Sequence, residues 1–208
     1  MSRYTGAKCR LCRREGEKLF LRGSRCEGQK CAITRRNYKP GQVAKNTFGK
    51  ITECAKQLRA KQKARRIYGI SEKQFSIYCT EAMKKKEETG MALLKSLETR
   101  LDNAMYRSGF AESRNQARQF VNHGVVKLNG KRVDIPSIHL KIGDTFEVRE
   151  KLKTSPIFEK VKANKKFKSS KWLKADSQTL KCEVINMPDK DDVEASIETQ
   201  LVIEFYSK

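Results

Sequence analysis

Over the first forty residues no apolar period lasts more than a turn. Gly6, Gly16, Gly23, Gly28 and Pro40 punctuate the stretch, which reads as loop-rich. Lys39 through Lys50 reads as an extended connector. From about Ile51 the pattern becomes helical: Ala55, Leu58 and Gln62 share one face, and the helix should stop near Gly69. Ser71 followed by Gln74 is a capping box opening a second helix, with Phe75, Tyr78, Cys79 and Ala82 as its stripe and Lys84-Lys85-Lys86 at its end. Leu93, Leu94, Leu97, Leu101, Ala104 and Met105 then predict one long helix over Ala92 to Ser108, closed by Gly109.

A shorter helix follows, with Ser113 as N-cap, Gln116 three residues on, Ala117, Phe120 and Val121 facing inward, and Gly124 closing it. The period then drops to two. Val126 to Val133, folded about Asn129-Gly130, is a hairpin. His139 to Ile142 and Thr145 to Arg149, joined by Gly143-Asp144, read as a second strand pair. Residues 151–174 hold 9 Lys and one Glu and predict a solvated basic helix. Leu180 to Ile185 reads as a strand. Ile197 to Tyr206 fits either period and is read as a helix. No internal repeat is visible.

Charge changes this picture. The chain has 208 residues, with 46 Lys and Arg against 24 Asp and Glu, a net of +22 and a pI near 9.9. Such a charge is self-repelling unless a polyanion neutralises it. It is also polarised along the chain. Residues 1–66 hold 20 basic against 4 acidic residues, whereas residues 175–208 hold 8 acids against 3 bases. Neither a leader at Met1-Ser2-Arg3-Tyr4 nor a run approaching ~20 apolar residues is present, so a cytoplasmic protein without a membrane partner is expected.

In a reducing compartment cysteines favour metal over disulfides. Cys9, Cys12, Cys26 and Cys31 read C-x2-C-x13-C-x4-C, paired at both ends, and can offer four thiolates to one tetrahedral ion. Four sulfurs suit structural zinc, with an iron–sulfur cluster second; the bland reading is four reduced cysteines. Lys8, Arg10, Arg13, Arg14 and Arg25 would stabilise the thiolates. Cys54, Cys79 and Cys182 lack ligand spacing and read as ordinary core or surface residues.

The helix carrying Lys56, Arg59, Lys61, Lys63, Arg65 and Arg66 has no acid between those residues. Its bland reading is a solvated face. The sharper one is that no intrahelical pairs form, so nucleic acid supplies the counter-charge. The two-helix and hairpin unit adds Arg100, Arg107, Arg114, Arg118, Lys127, Lys131 and Arg132, which suit a shallow groove or junction of RNA. Phe110, Phe120 and Phe146 read as core. His123 and His139 lack a second ligand or carboxylate at motif spacing, and no P-loop, nucleophile elbow or paired carboxylate motif occurs.

Here the residues meet a known pattern. RLDNAMYRSGFAESRNQARQFVNHGVVKLNGKRVDIPS resembles the small RNA-binding module shared by ribosomal small-subunit protein four and several RNA-modifying enzymes. SRYTGAKCRLCRREGEKLFLRG, QLRAKQKARRIYGISEKQF and LVIEFYSK extend the resemblance along the chain to the bacterial ribosomal small-subunit protein four family, in its zinc-bearing, four-cysteine branch.

The resemblance implies an α+β protein: a mainly helical domain with an N-terminal zinc-stapled segment, plus a small α/β RNA-binding module with antiparallel strands. Residues 1–45 would be the zinc-binding basic segment, 46–97 the helical domain completed by the tail 197–208, 98–160 the module, and 161–196 a basic-then-acidic extension whose strand packs on the module. It implies a non-enzymatic component of the small ribosomal subunit in the cytoplasm. Such a protein binds small-subunit ribosomal RNA at a multi-helix junction and nucleates assembly of the body. It touches ribosomal small-subunit protein five with an effect on decoding accuracy, and lies near the path of incoming messenger RNA. The connector Gln42 to Glu53 departs from many relatives in having only Lys45 and Lys50 as bases. Candidate RNA contacts are Arg3, Lys8, Arg10, Arg13, Arg14, Arg35, Arg36, Lys56, Arg59, Lys61, Lys63, Arg65, Arg66, Arg100, Arg114, Arg118, Lys127, Lys131 and Arg132.

Two other readings stay open. Pseudouridine synthases that carry the module use an aspartate after Arg-Leu, and Arg100-Leu101-Asp102 occurs here, though inside a periodic helix with no large catalytic domain following. A zinc-dependent DNA-binding regulator is the third, without a visible recognition helix.

Overall fold

The computed structural model describes residues 4–41, 51–163, 169–194 and 196–207. It divides into two compact units, residues 1–93 with 194–208 and residues 94–193. The first forty-odd residues thus share a unit with the helices that follow, and 161–193 share one with the module. The connector 42–50 and Arg3 lie outside the described residues.

In the first unit, three short helices α1 (Lys8–Glu15), α2 (Ser24–Glu27) and α3 (Ala32–Arg35) break up the N-terminal segment. Gly16, at φ 80°, terminates α1 in the left-handed region. α4 (Glu53–Tyr68) begins where Thr52 Oγ1 accepts from the Ala55 N–H and ends at Gly69, φ 64°. α5 (Glu72–Lys84) begins where Ser71 Oγ accepts from the Gln74 N–H, and it buries Phe75, Tyr78, Cys79 and Ala82. The ambiguous tail is helical, α10 (Thr199–Tyr206), and packs on α4 and α5. Gln57 Nε2 donates to Glu204 (3.0 Å), the Tyr206 hydroxyl donates to Glu72 (2.7 Å), and the Phe75 and Tyr206 rings lie 6.1 Å apart. The elements α10 packs against are themselves helices.

The long helix expected over Ala92 to Ser108 is two: α6 (Thr89–Glu98) and α7 (Leu101–Arg107). Arg100 breaks it, with ψ 137°, and forms an isolated bridge with His139. The amides of Leu101 and Asp102 donate to Ile138 and Pro136 carbonyls (2.8 and 3.3 Å), and Leu140 donates to Thr99 (2.9 Å). The apolar residues stay in helical phase across the break, with Leu101, Ala104 and Met105 of α7 packed into the core of the second unit. The segment His139 to Ile142 is therefore not a strand of a second pair, its backbone being taken by residues 99–102.

After α8 (Arg114–Asn122), β1 (Val126–Leu128) and β2 (Lys131–Val133) form the expected hairpin, with Asn129 at φ 48° and Gly130 at 81°. β3 (Thr145–Val148) pairs antiparallel with β1. Residues 151–174 are not one solvated helix. A 3-10 turn and α9 (Pro156–Lys162) are followed, beyond residues 164–168 outside the described set, by β4 (Leu173–Asp176). Phe158 is buried against Phe120 (5.2 Å), and Trp172 and Leu173 are buried beside it in the core. β5 (Lys181–Val184) completes an antiparallel sheet ordered β2-β1-β3-β5-β4. Its core face carries Val126, Phe146, Val148, Cys182 and Val184. Across its other face one register row reads Arg132, Lys127, Glu147, Lys181, Asp176. Among the described residues no helix is long and apolar enough to cross a membrane.

Gly90 lets α10 approach α6: a Cβ there would sit 2.9 Å from Thr199 Oγ1 and 3.2 Å from its Cβ. Gly90→Ala, which by helix propensity alone should stabilise by about 1 kcal/mol, is expected instead to cost about 1–3 kcal/mol from overpacking. Thr199→Ala should rescue it. Urea denaturation of the two single variants and the double variant checks this; additive losses would refute the close approach.

Candidate nucleic-acid interface

The four clustered cysteines sit on three elements. Cys9 and Cys12 lie one turn apart on α1, Cys26 is on α2, and Cys31 caps α3. Cys12, Cys26 and Cys31 are buried and Cys9 half-buried. Burial pushes the Cys12 thiol up against a hydrogen bond from the Leu19 N–H, and the proximity of Cys26, Cys9 and Cys31 pushes it further. Burial also acts on Cys31, but the Ile33 and Thr34 amides and Lys18 outweigh it and bring that thiol down. The other three thiols thus lie within electrostatic range of Cys12. Among the described residues, however, no three His, Cys, Asp or Glu side chains are gathered closely enough to hold a metal ion. The donor set itself, four sulfurs among cations, fits a soft ion. Cys79 and Cys182 are buried core thiols pushed up to about 12, and Cys54 is exposed.

Beside Cys9 opens a cleft of about 630 Å³ lined by Arg10, Arg13, Arg25, Lys30, Arg35 and Arg36, with no carboxylate among its lining residues. Arg13 stacks its guanidinium 4.5 Å from the Tyr38 ring centre and donates to the Tyr38 carbonyl, which fixes one wall. Arg10, Arg35 and Arg36 are exposed, as is Arg14 nearby. Lys8 folds back onto Tyr4, its ammonium donating to the Tyr4 carbonyl and lying over the ring. Lys30 was not among the sequence candidates, and Arg25 only as a neighbour of the thiolates. Their position flanking Cys26 and Cys31 was the available signal.

The basic helix α4 does not wait for an outside anion. Each of its six cations meets a carboxylate: Lys56 with Glu53 (2.6 Å), Arg59 and Arg66 with Glu15, Lys61 (2.7 Å) and Arg65 (3.4 Å) with Glu72, and Lys63 with Glu17 (2.5 Å). This corrects the expectation that no intrahelical pairs form and that an outside partner must supply the counter-charge. One pair is intrahelical, because the helix starts at Glu53, and the others come from acids that tertiary packing brings alongside. Burial raises the Glu15 carboxyl against the pull of Arg66 and Arg59. Lys61 is buried, its ammonium 4.5 Å from the Phe205 ring centre.

In the second unit the cations divide in two. Arg100 is 2% exposed and Arg114 8%, so neither lies on the surface as expected. Arg100 donates twice to Asp102 (3.1 and 3.0 Å), and Arg118 donates to the same carboxylate (2.9 Å). Arg114 donates to Asn103 (2.8 Å) and stacks over Tyr106, while Arg107 forks onto the fully buried Glu98 (2.9 and 2.7 Å). Asp102 is buried and saturated, also accepting the Asn103 N–H (3.0 Å). Of the sequence candidates in this unit, Lys131 and Arg132 are exposed and Lys127 is half-buried. Lys127 and Arg132 are register partners, a like-charge pair that an external anion would relieve. His139 Nδ1 lies 3.2 Å from Thr99 Oγ1. Phe110 and Phe146 are fully buried and Phe120 nearly so.

The comparisons with known proteins agree along the whole chain. A family profile described as Ribosomal protein S4/S9 N-terminal domain matches residues 3–98, and one described as S4 domain matches residues 99–146. Relatives named small ribosomal subunit protein uS4 come from Acetivibrio thermocellus (52% identical over 212 residues), Heliobacterium modesticaldum (50% over 209) and Solidesulfovibrio magneticus (51% over 209). Each alignment covers 100% of this chain and 100% of the relative.

Burial works on Glu72 too, but hydrogen bonds from Lys61 and Tyr206 dominate and hold it below its ordinary 4.5. The same contact and burial push the Tyr206 hydroxyl up. A lowered carboxyl contributes stability that is complete above 4.5 and lost as pH falls through the folded value. The stability gap between wild type and Glu72→Gln should thus close on acidification below 4.5. Thermal melts of both across that range check it; a gap independent of pH would exclude the pair.

Proposed function

The chain belongs to the small ribosomal subunit protein uS4 family, and from that premise we propose that it is a structural, non-enzymatic component of the small ribosomal subunit in the cytoplasm that binds small-subunit ribosomal RNA directly. The observation that carries the RNA reading is the acid-free cleft of Arg10, Arg13, Arg25, Lys30, Arg35 and Arg36. A cluster of cations without a carboxylate is unfavourable alone and favourable against phosphate. The pseudouridine synthase reading is set aside: Asp102 is buried and held by Arg100 and Arg118, out of reach of a uracil ring. Nor does any half-site symmetry favour the DNA regulator.

The finer proposals follow the family resemblance. The RNA site is a multi-helix junction, binding there nucleates the subunit body, and contacts with protein five and with incoming messenger RNA bear on decoding accuracy. We also propose that Cys9, Cys12, Cys26 and Cys31 hold structural zinc, in preference to an iron–sulfur cluster. The all-sulfur donor set, its C-x2-C-x13-C-x4-C spacing and the burial of three of the four support it. Zinc would supply folding energy to a segment with little core of its own, and these four thiolates would hold it.

A ribonuclease footprint of the purified protein on small-subunit ribosomal RNA tests the assignment, and an unprotected RNA would overturn it. Replacing Arg35 and Arg36 together with Ser should weaken binding and reduce the slope of log affinity against log salt by roughly one to two units. Cys12→Ser, or chelation, should release zinc in metal analysis and open residues 1–40 to protease while sparing the second unit. An unchanged digestion pattern would dispose of the zinc proposal.

A further inference from the structure

Phe20 is an aromatic that the fold holds outward in an unfavourable backbone. Its φ is 48°, a region that L residues with bulky side chains rarely adopt. Among the described residues two other non-glycines share it, and each has a local reason. Asn129 makes the hairpin turn, and Leu180 is fully buried in the core. Phe20 has neither, being 44% exposed.

Its neighbours explain how it is held. Leu19 and Leu21 are buried at 3% and 5%, and the Leu19 N–H bonds to the Cys12 sulfur. With both flanking side chains anchored inward, the left-handed turn between them throws the Phe20 ring into solvent. Lys18 and Arg22, two residues to either side, are exposed cations, and the nearest acid, Glu17, is paired with Lys63. Backbone strain and an exposed ring at one residue serve no packing purpose visible in this unit, and such strain concentrates at binding sites.

We propose that Phe20 is a stacking platform for an unpaired nucleobase of the ribosomal RNA, with Lys18 and Arg22 taking the adjacent phosphates. The proposal rests on the RNA-binding reading above. Single-stranded bases are recognised by stacking on exposed aromatics, and any base offers a π-face, so the contact adds affinity without demanding a sequence. An apolar protein surface could also cover the ring, but cations on both sides favour a polyanion.

The chain has one tryptophan, Trp172, which is 1% exposed. Phe20→Trp in the full chain therefore adds one reporter at the surface. Titrated with small-subunit ribosomal RNA, its emission should be quenched beyond any change in wild type, and inorganic phosphate alone should not quench it. Phe20→Leu should weaken RNA binding roughly tenfold with an unchanged salt slope, because no phosphate contact is lost. Phe20→Tyr should restore it. Wild-type affinity in Phe20→Leu, quenching by phosphate alone, or a reporter unquenched in the RNA complex yet buried in the assembled subunit would overturn the platform, the last indicating a protein contact. Failure of wild type itself to bind the RNA would instead bring down the functional reading, and this inference with it.

Discussion

Glu15, Glu72 and Asp102 each accept from two cations, and Glu98 from the fork of Arg107. With 24 acids for 46 bases, one-to-one pairing would leave 22 cations over, so acids are shared. A buried cation left alone costs far more than an exposed one, because the interior cannot solvate it. The acids accordingly stand beneath the cations that packing buries: Lys61 and Arg66 on α4, Arg100, Arg107 and Arg118 around α7 and α8. Removing any of these carboxylates would strand two charges rather than one in three of the four cases.

The corollary is where acids are missing. The cleft beside Cys9 has six cations in its lining and no carboxylate. On the sheet, the register row from Arg132 and Lys127 through Glu147, Lys181 and Asp176 places its like-charged pair at the β2–β1 edge and mixes signs toward β4. The cleft is where the first unit gathers cations without acids. A cation cluster without carboxylates is where an external polyanion would gain most from neutralisation.

Much of the architecture was readable beforehand because it depends on local chemistry. Thr52, Ser71 and Ser113 cap helices, Asn129-Gly130 turns the hairpin, and apolar stripes bury Phe75, Tyr78, Leu97 and Phe120. What failed was nonlocal. The break at Arg100 is imposed by residues 136–140, and β4 exists because Trp172 and Leu173 find a core built mostly from α7, α8 and the first three strands. Neither leaves a mark in nearby periodicity, since a helix interrupted for two residues keeps its apolar face in phase.

The same division holds for the site. Composition and local pattern by themselves determined the partner class and the antiparallel module, because net charge and turn propensity are properties of the chain. Which cations face outward was decided only by tertiary structure. Glu15 and Glu72 lie 44 and 11 residues from Arg59 and Lys61, and Asp102 lies 16 from Arg118. Coulomb attraction acts through space, so a run of bases shows its true charge only once folding has chosen its neighbours.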